Sequence, residues 1–67
     1  MARKIMIRHS STNRFSVYGV VAGIEFHLCD VDDIEPSSFP IGVWVDITDY
    51  TIKKSLGKDV ISIVGMS

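Results

Sequence analysis

The chain has 67 residues, 46% of them hydrophobic, and its seven basic and eight acidic side chains give a formal net charge of −1. A chain of this length predicts a single small domain over residues 1–67, which disfavours an enzyme with a deep, water-excluding active site. The positive mean hydropathy argues against intrinsic disorder, and no apolar run approaches the roughly 18 residues of a membrane span.

The first half of the chain predicts three strands, over residues 4–9, 14–22 and 24–30. Ile and Val dominate the apolar residues, with nine and eight copies, whereas Leu and Ala occur twice each. Branching at Cβ favours the pleated sheet over the helix, so we expect a mainly β protein. The polar residues 10–13 predict a turn, and Gly19 and Gly23 predict a bulge or a tight bend.

The second half predicts a loop, a strand, a short helix and a last strand. Residues 32–41 contain both prolines and predict a loop that can hold one helical turn at its start. Strict alternation predicts a strand over residues 42–48. Asp49 can cap a helix over residues 50–56 that Gly57 ends, and residues 58–64 predict the final strand.

These elements predict a small five-stranded antiparallel barrel or half-barrel, in SH3-like order, with one short helix before the last strand. An OB-like barrel is the alternative, with its helix between the third and fourth strands. The register of the first and last strands stays open, because apolar residues occupy both of their faces. The predicted core consists of Ile5, Ile7, Phe15, Val17, Ile24, Phe26, Leu28, Val43, Val45, Ile47, Ile61 and Ile63.

A lone cysteine, Cys29, excludes an internal disulfide and favours a reducing compartment. The N-terminal apolar run breaks at Arg8 and His9, too early for the apolar region of a signal peptide. We therefore expect a soluble, cytoplasmic protein.

Two groups of residues are candidates for metal binding or catalysis, and both are weak. The carboxylates of residues 30–35 lack the central Gly of a calcium loop, and Pro36 cuts the segment short. On a regular strand, His27 and Cys29 project from one face, but a zinc site needs four ligands and His9 is the only other histidine. We expect no metal, no cofactor and no enzymatic activity.

The charges are segregated along the chain. Residues 1–14 carry a net charge of +4, residues 25–49 carry −7, and the remainder carries +2. The basic segment, with Arg3, Lys4, Arg8 and Arg14, could contact nucleic-acid phosphates beside Tyr18 as a stacking surface. The acidic segment could meet a basic partner. Alternatively, the two segments pair with each other across the sheet.

The face of the predicted sheet opposite the core is unusually apolar. It carries Met6, Tyr18, Val20, His27, Cys29, Trp44, Val60 and Val64. We interpret Trp44, Tyr18 and His27 as the anchor of a partner-binding surface. An acidic rim would be formed by Asp32, Asp33, Glu35 and Asp46. The alternatives are that the short helix, or the loop with Phe39, covers this face, or that the protein self-associates.

The leading functional hypothesis is a small, non-enzymatic interaction protein that binds another protein, with a basic partner as one option. Such a chain suits an accessory subunit or a small inhibitor of the kind a phage or mobile element encodes. The alternatives are a nucleic-acid-binding barrel that uses the basic segment, and a structural homo-oligomer.

Overall fold

A computed structural model describes residues 3–66, of which 70% lie in strands and none in a helix. The strands are β1 (Arg3–Ser11), β2 (Arg14–Val21), β3 (Ile24–Val31), β4 (Asp33–Glu35), β5 (Val45–Ile47), β6 (Asp49–Ser55) and β7 (Lys58–Val64). The mainly β class is confirmed. The described residues form seven strands in two sheets and no closed barrel, instead of five strands and a helix. They contain no helix that could cross a membrane.

Two of the connections between the sheets are only one residue long. Sheet A has the order β3-β2-β1-β5, and sheet B has the order β4-β7-β6. The chain passes from sheet A to sheet B through Asp32, between β3 and β4, and again through Thr48, between β5 and β6. All neighbouring strands are antiparallel except β4 and β7, which are parallel, so the expected all-antiparallel arrangement is wrong at this pair.

The predicted helix over residues 50–56 is wrong, because this segment forms strand β6. It pairs with β7 along its whole length, from Asp49 opposite Val64 to Ser55 opposite Lys58. The helical interpretation placed Ile52 and Leu56 on one apolar face, but Leu56 is fully exposed in the turn that follows β6. Pairing with an apolar neighbouring strand therefore outweighs the local capping signals.

Residues 32–48 also differ from the prediction. The expected loop contains strand β4 rather than a helical turn, because Ile34 is buried and pairs with Ile61 of β7. The strand predicted over residues 42–48 is shortened to Val45–Ile47. The last strand begins and ends where predicted, and the first three lie within two residues of their predicted ends.

The core lies between the two sheets and contains seven of the residues predicted for it. These are Ile5, Ile7, Val17, Val45, Ile47, Ile61 and Ile63, which Val31, Ile34 and Phe39 join. Phe15 and Leu28 pack partly buried against this cluster. Ile24, Phe26 and Val43 were also predicted to be buried but are exposed. The exposure of Ile24 and Val21, at opposite ends of the β2–β3 turn, shows that the tip of this hairpin lies beyond the buried core.

We expect the substitution Leu56→Asn to stabilise the protein. Leu56 and Gly57, which join β6 to β7, both have positive φ angles, 53° and 77°. A hairpin turn of this kind favours Asn before Gly, and Leu is strained there without any buried contact in return. Urea denaturation should show a gain of about 0.5 to 1 kcal/mol in the free energy of unfolding. Ser55→Asn, one residue earlier in the strand, should show no gain, and equal effects of the two would contradict the turn explanation.

Candidate functional site

The outer face of sheet A carries a row of large side chains that crosses β1, β2 and β3 and ends at Trp44, just before β5. Met6 of β1 pairs with Tyr18 of β2, which pairs with His27 of β3. On the other side of β1, the pairing ends at Ile5 opposite Val45, so Trp44, the residue before β5, comes beside Met6 just outside the paired segment. We call these four residues the cross-sheet row. It brings together the three residues that were predicted as the anchor of a partner-binding surface.

The cross-sheet row changes in exposure along its length. Met6, at its centre, is only 5% exposed although it lies outside the core cluster, and Trp44 and Tyr18 are partly buried. His27, at the β3 end, is exposed and meets the Tyr18 ring edge-on, with 5.6 Å between ring centroids. The Arg8 guanidinium lies 5.8 Å from the Tyr18 ring centroid. The arrangement offers aromatic surface next to charged groups.

Asp30 forms a small hydrogen-bonded cluster with His27, at the β3 end of the row. Its Oδ1 accepts hydrogen bonds from His27 Nε2 and from Ser16 Oγ, each at 2.9 Å. Hydrogen bonding to His27, then to Ser16, holds the pKa of Asp30 below its usual value, and the charges of His27 and Arg14 add to this. The cluster therefore favours folding at neutral pH, and this contribution is lost as acid protonates Asp30.

Cys29 does not share a face with His27, so the predicted pairing of these side chains is wrong. A bulge lies between the pairs Val17–Cys29 and Tyr18–His27, and it leaves Leu28 without a partner on β2. Cys29 consequently packs against the core. Burial, followed by the charges of Asp30 and Asp59, raises the pKa of its thiol. Among residues 3–66, no three potential metal ligands lie together.

The predicted acidic rim is divided between the two sheets. Asp46 lies on β5, two residues after Trp44, with its Oδ1 3.9 Å from Lys4 Nζ. Asp32 lies at the corner between the sheets and pairs with Arg14 at 3.0 Å. Asp33 and Glu35 lie on β4 in sheet B, where Glu35 pairs with Lys53. The structure thus brings Asp46, but not Asp33 or Glu35, next to the cross-sheet row.

Most of the basic N-terminal residues are already paired with carboxylates. Besides the Lys4 and Arg14 pairs, Arg3 lies 3.6 Å from Asp49 and its guanidinium lies over the Tyr50 ring. Arg8 has no carboxylate partner among the described residues and instead lies over Tyr18. The basic and acidic segments therefore pair with each other, which was the third of the alternatives drawn from the charge pattern.

An apolar groove of about 490 Å³ opens at the end of sheet A where β1 begins and the β2–β3 hairpin turns. Ile5, Phe26, Leu28 and Tyr50 contribute to its walls, and Gly19 lies at the wall that Phe26 and Leu28 cover. A Cβ atom at Gly19 would come within 3.2 Å of Leu28 Cδ1, so glycine allows both side chains to pack here. The groove leaves one side of Phe26 accessible.

Two residues of this face were missing from the predicted site, Met6 and Glu25. Alternation placed Met6 on the outer face, but only the strand pairing shows that Met6 lies opposite Tyr18 and next to the end of the β1–β5 pairing, where Trp44 follows. Glu25 pairs with Val20, two residues along β3 from His27 towards the hairpin tip. It has no ion-pair partner within residues 3–66.

Comparison of the chain with known proteins covered family models, curated proteins and solved structures. None of the three finds a match.

Proposed function

We propose that this chain is a non-enzymatic interaction protein that binds another protein through the outer face of sheet A. The cross-sheet row carries the proposal, because it places Tyr18 between Met6 and His27 on the outer face and brings Trp44 beside Met6 at its other end. Tryptophan and tyrosine are enriched among the residues that dominate binding energy at protein interfaces. A cytoplasmic accessory subunit or inhibitor is the role that suits so small a chain.

The charge arrangement supports a protein partner rather than a nucleic acid. Nucleic-acid binding requires a basic surface whose cations are free to replace counterions at phosphates. Here Arg3, Lys4 and Arg14 each face a carboxylate. The surface around the row has mixed charge and therefore presents no basic patch.

We propose that the partner presents an arginine to this surface. A guanidinium stacks on aromatic rings and pairs with carboxylates, and the row offers both. Asp46 follows Trp44 by two residues on the same side of the chain, and its contact with Lys4 is long and half-exposed. Glu25 adds a second carboxylate at the β3 end of the face. The protein already places Arg8 over Tyr18 in the same geometry.

Affinity capture with the purified protein as bait tests the proposal. Wild type should retain a specific protein from an extract of its source cells, and Trp44→Ala should weaken the affinity for that protein at least about tenfold. Asp46→Asn should weaken it by a smaller factor, because the carboxylate remains only as a neutral acceptor. Circular dichroism of both variants establishes that the sheet is intact.

Leu56→Ala is the matched control, because Leu56 is an equally apolar residue, fully exposed in the turn of sheet B. It should retain the partner as wild type does. The proposal is overturned if Trp44→Ala and Leu56→Ala retain the same proteins in the same amounts. Retention of RNA or DNA instead of protein, with loss on Arg8→Ala only, would also overturn it.

A further inference from the structure

Strand β3 forms an unusual edge of sheet A. Its far side has no neighbouring strand within the described residues, and only its end is tied to β7, through Asp32 N–H and Asp59 C=O at 2.8 Å. Ile24 is 70% exposed and Phe26 41%. An exposed, apolar edge presents unpaired backbone groups together with side chains that gain from burial, which makes it a template for another strand.

The other edges that the structure describes are protected against such pairing. Strands β4 and β5 have only three residues each. Strand β6 carries Lys53 and Lys54, and lysine on an edge strand opposes pairing with another chain. Residues 24–28 of β3 contain no lysine and no proline. Among these edges, β3 is therefore the one long strand without lysine, and its bulge at Leu28 leaves residues 24–27 in regular pairing with β2.

The sequence of β3 is complementary to itself in one antiparallel register. When Phe26 lies opposite Phe26 of a second copy, Ile24 falls opposite Leu28 and Glu25 falls opposite His27. The first two pairings continue the apolar inner face, and the third places a carboxylate beside an imidazole. In this register, the inner face of one copy continues the inner face of the other, and the outer faces join in the same way, as a continuous sheet requires.

Neighbouring registers are worse for stated reasons. A shift of two residues one way places Glu25 opposite Glu25 of the second copy, which sets like charges face to face. A shift of two residues the other way places Ile24 opposite Asp30, which would cover a charged group that His27 and Ser16 already hold. A shift of one residue opposes the inner face of one copy to the outer face of the other.

We propose that two copies of this chain associate through their β3 edges, antiparallel and in the register centred on Phe26. The two four-stranded sheets then form one eight-stranded sheet about a two-fold axis. The occupant of the edge is a second copy because only this register brings Glu25, which has no ion-pair partner within residues 3–66, beside His27, whose Nε2 is bound to Asp30 while its Nδ1 makes no hydrogen bond within the described residues. Pairing over so few residues buries less than about 1,200 Å², so we expect a Kd of about 10 to 100 µM.

This association does not depend on the proposed function, and it extends the surface on which that function rests. The edge contact leaves the outer face of sheet A open. Each cross-sheet row ends at His27, opposite Glu25 of the second copy, so the two rows lie side by side on one continuous face. A partner with two binding segments would then be held by both copies.

Sedimentation equilibrium over a concentration series measures the association. Wild type should form a reversible dimer, and Ile24→Lys should raise the Kd at least about tenfold, because it places a charge opposite an apolar residue twice in the symmetric interface. Leu56→Lys is the matched control and should leave the Kd unchanged. A monomer at all concentrations up to about 1 mM, or equal dimerisation of wild type and Ile24→Lys, overturns the proposal.

Disulfide cross-linking tests the register. In a Cys29→Ser background, Phe26→Cys should form a covalent dimer under mild oxidation, because residues directly opposite on paired strands lie within disulfide distance. Glu25→Cys should cross-link far more slowly, since its own copy lies two residues away in this register. Equal cross-linking of the two variants overturns the register. If the wild-type protein does not dimerise but still captures its partner, this inference is refuted and the proposed function stands.

Discussion

Replacing Ile61 by alanine should remove about 3 to 4 kcal/mol from the free energy of unfolding. Ile61 is completely buried at the centre of sheet B, where it pairs with Ile34 of β4 and with Ile52 of β6. The substitution deletes buried methyl and methylene groups and leaves a cavity that the paired backbones on both sides cannot close. A domain of this length has a total stability of about 3 to 10 kcal/mol, so the variant should lose a large share of it.

Urea denaturation followed by Trp44 fluorescence measures this loss. Ile24→Ala is the matched control, since it removes the same atoms from a side chain that is 70% exposed. It should change the free energy of unfolding by no more than about 0.5 kcal/mol in dilute protein, where the outer edge of β3 has no second copy. Ile61→Val should fall between the two, at about 1 kcal/mol. Similar losses for Ile61→Ala and Ile24→Ala would show that the core does not lie where the structure has it.

The strands of the first half could be predicted because each carries its own signal. Alternation of apolar and polar residues over 14–22 and 24–30 is a local property, and so is the preference of Ile and Val for a sheet. Residues 50–56 carry two competing local signals, β-branched residues and a capped pattern with Ile52 and Leu56 four apart. The apolar strand β7, with which β6 pairs from end to end, settles the conflict. A sequence analysis limited to the seven residues 50–56 does not include β7, the strand with which they pair.

The burial of individual residues could be predicted only in part, because the extent of each sheet is a tertiary property. Val17 and Ile24 both face the inner side of sheet A in the alternating pattern. Sheet B covers the first and leaves the second exposed at the hairpin tip. Phe39 shows the reverse case, since it lies in a loop without periodicity and is nevertheless buried in the core.

The candidate site, too, could be predicted only in part. The surplus of large side chains opposite the core identified Trp44 and Tyr18 without any knowledge of pairing. The acidic rim failed where nearness in sequence was taken for nearness in space: the chain changes sheets at Asp32, so Asp33 and Glu35 lie away from the row. A bulge of one residue had a similar effect on Cys29, which it turns from the outer face to pack, partly buried, against the core.

Asp32 should prove to be a structural residue rather than part of a binding rim. Its backbone N–H donates to Asp59 C=O at 2.8 Å, and its Oδ2 accepts from Asp59 N–H at 3.0 Å, so the two residues are joined in both directions. Its Oδ1 accepts from Arg14 Nη1 at 3.0 Å. These contacts connect the end of β3, the start of β2 and the start of β7. They therefore fix the corner at which the chain leaves sheet A.

We expect Asp32→Ala to lower the free energy of unfolding by about 2 to 3 kcal/mol, because it leaves the Asp59 N–H and the Arg14 guanidinium without their acceptor. Asp32→Asn should lose less, about 1 kcal/mol, since the amide oxygen can still accept from Asp59 N–H. Glu35→Ala, which removes only an exposed pair with Lys53, should lie within about 0.5 kcal/mol of wild type.

Partner capture separates the structural explanation from a binding role for Asp32. Below its own unfolding transition, Asp32→Asn should retain the partner as wild type does, whereas Trp44→Ala should not. If a variant at Asp32 keeps its stability but loses the partner, the Asp32 carboxylate is part of the binding surface. The corner at Asp32 would then be recognised by the partner directly, and the proposed surface would extend from the row on sheet A to the junction with β7.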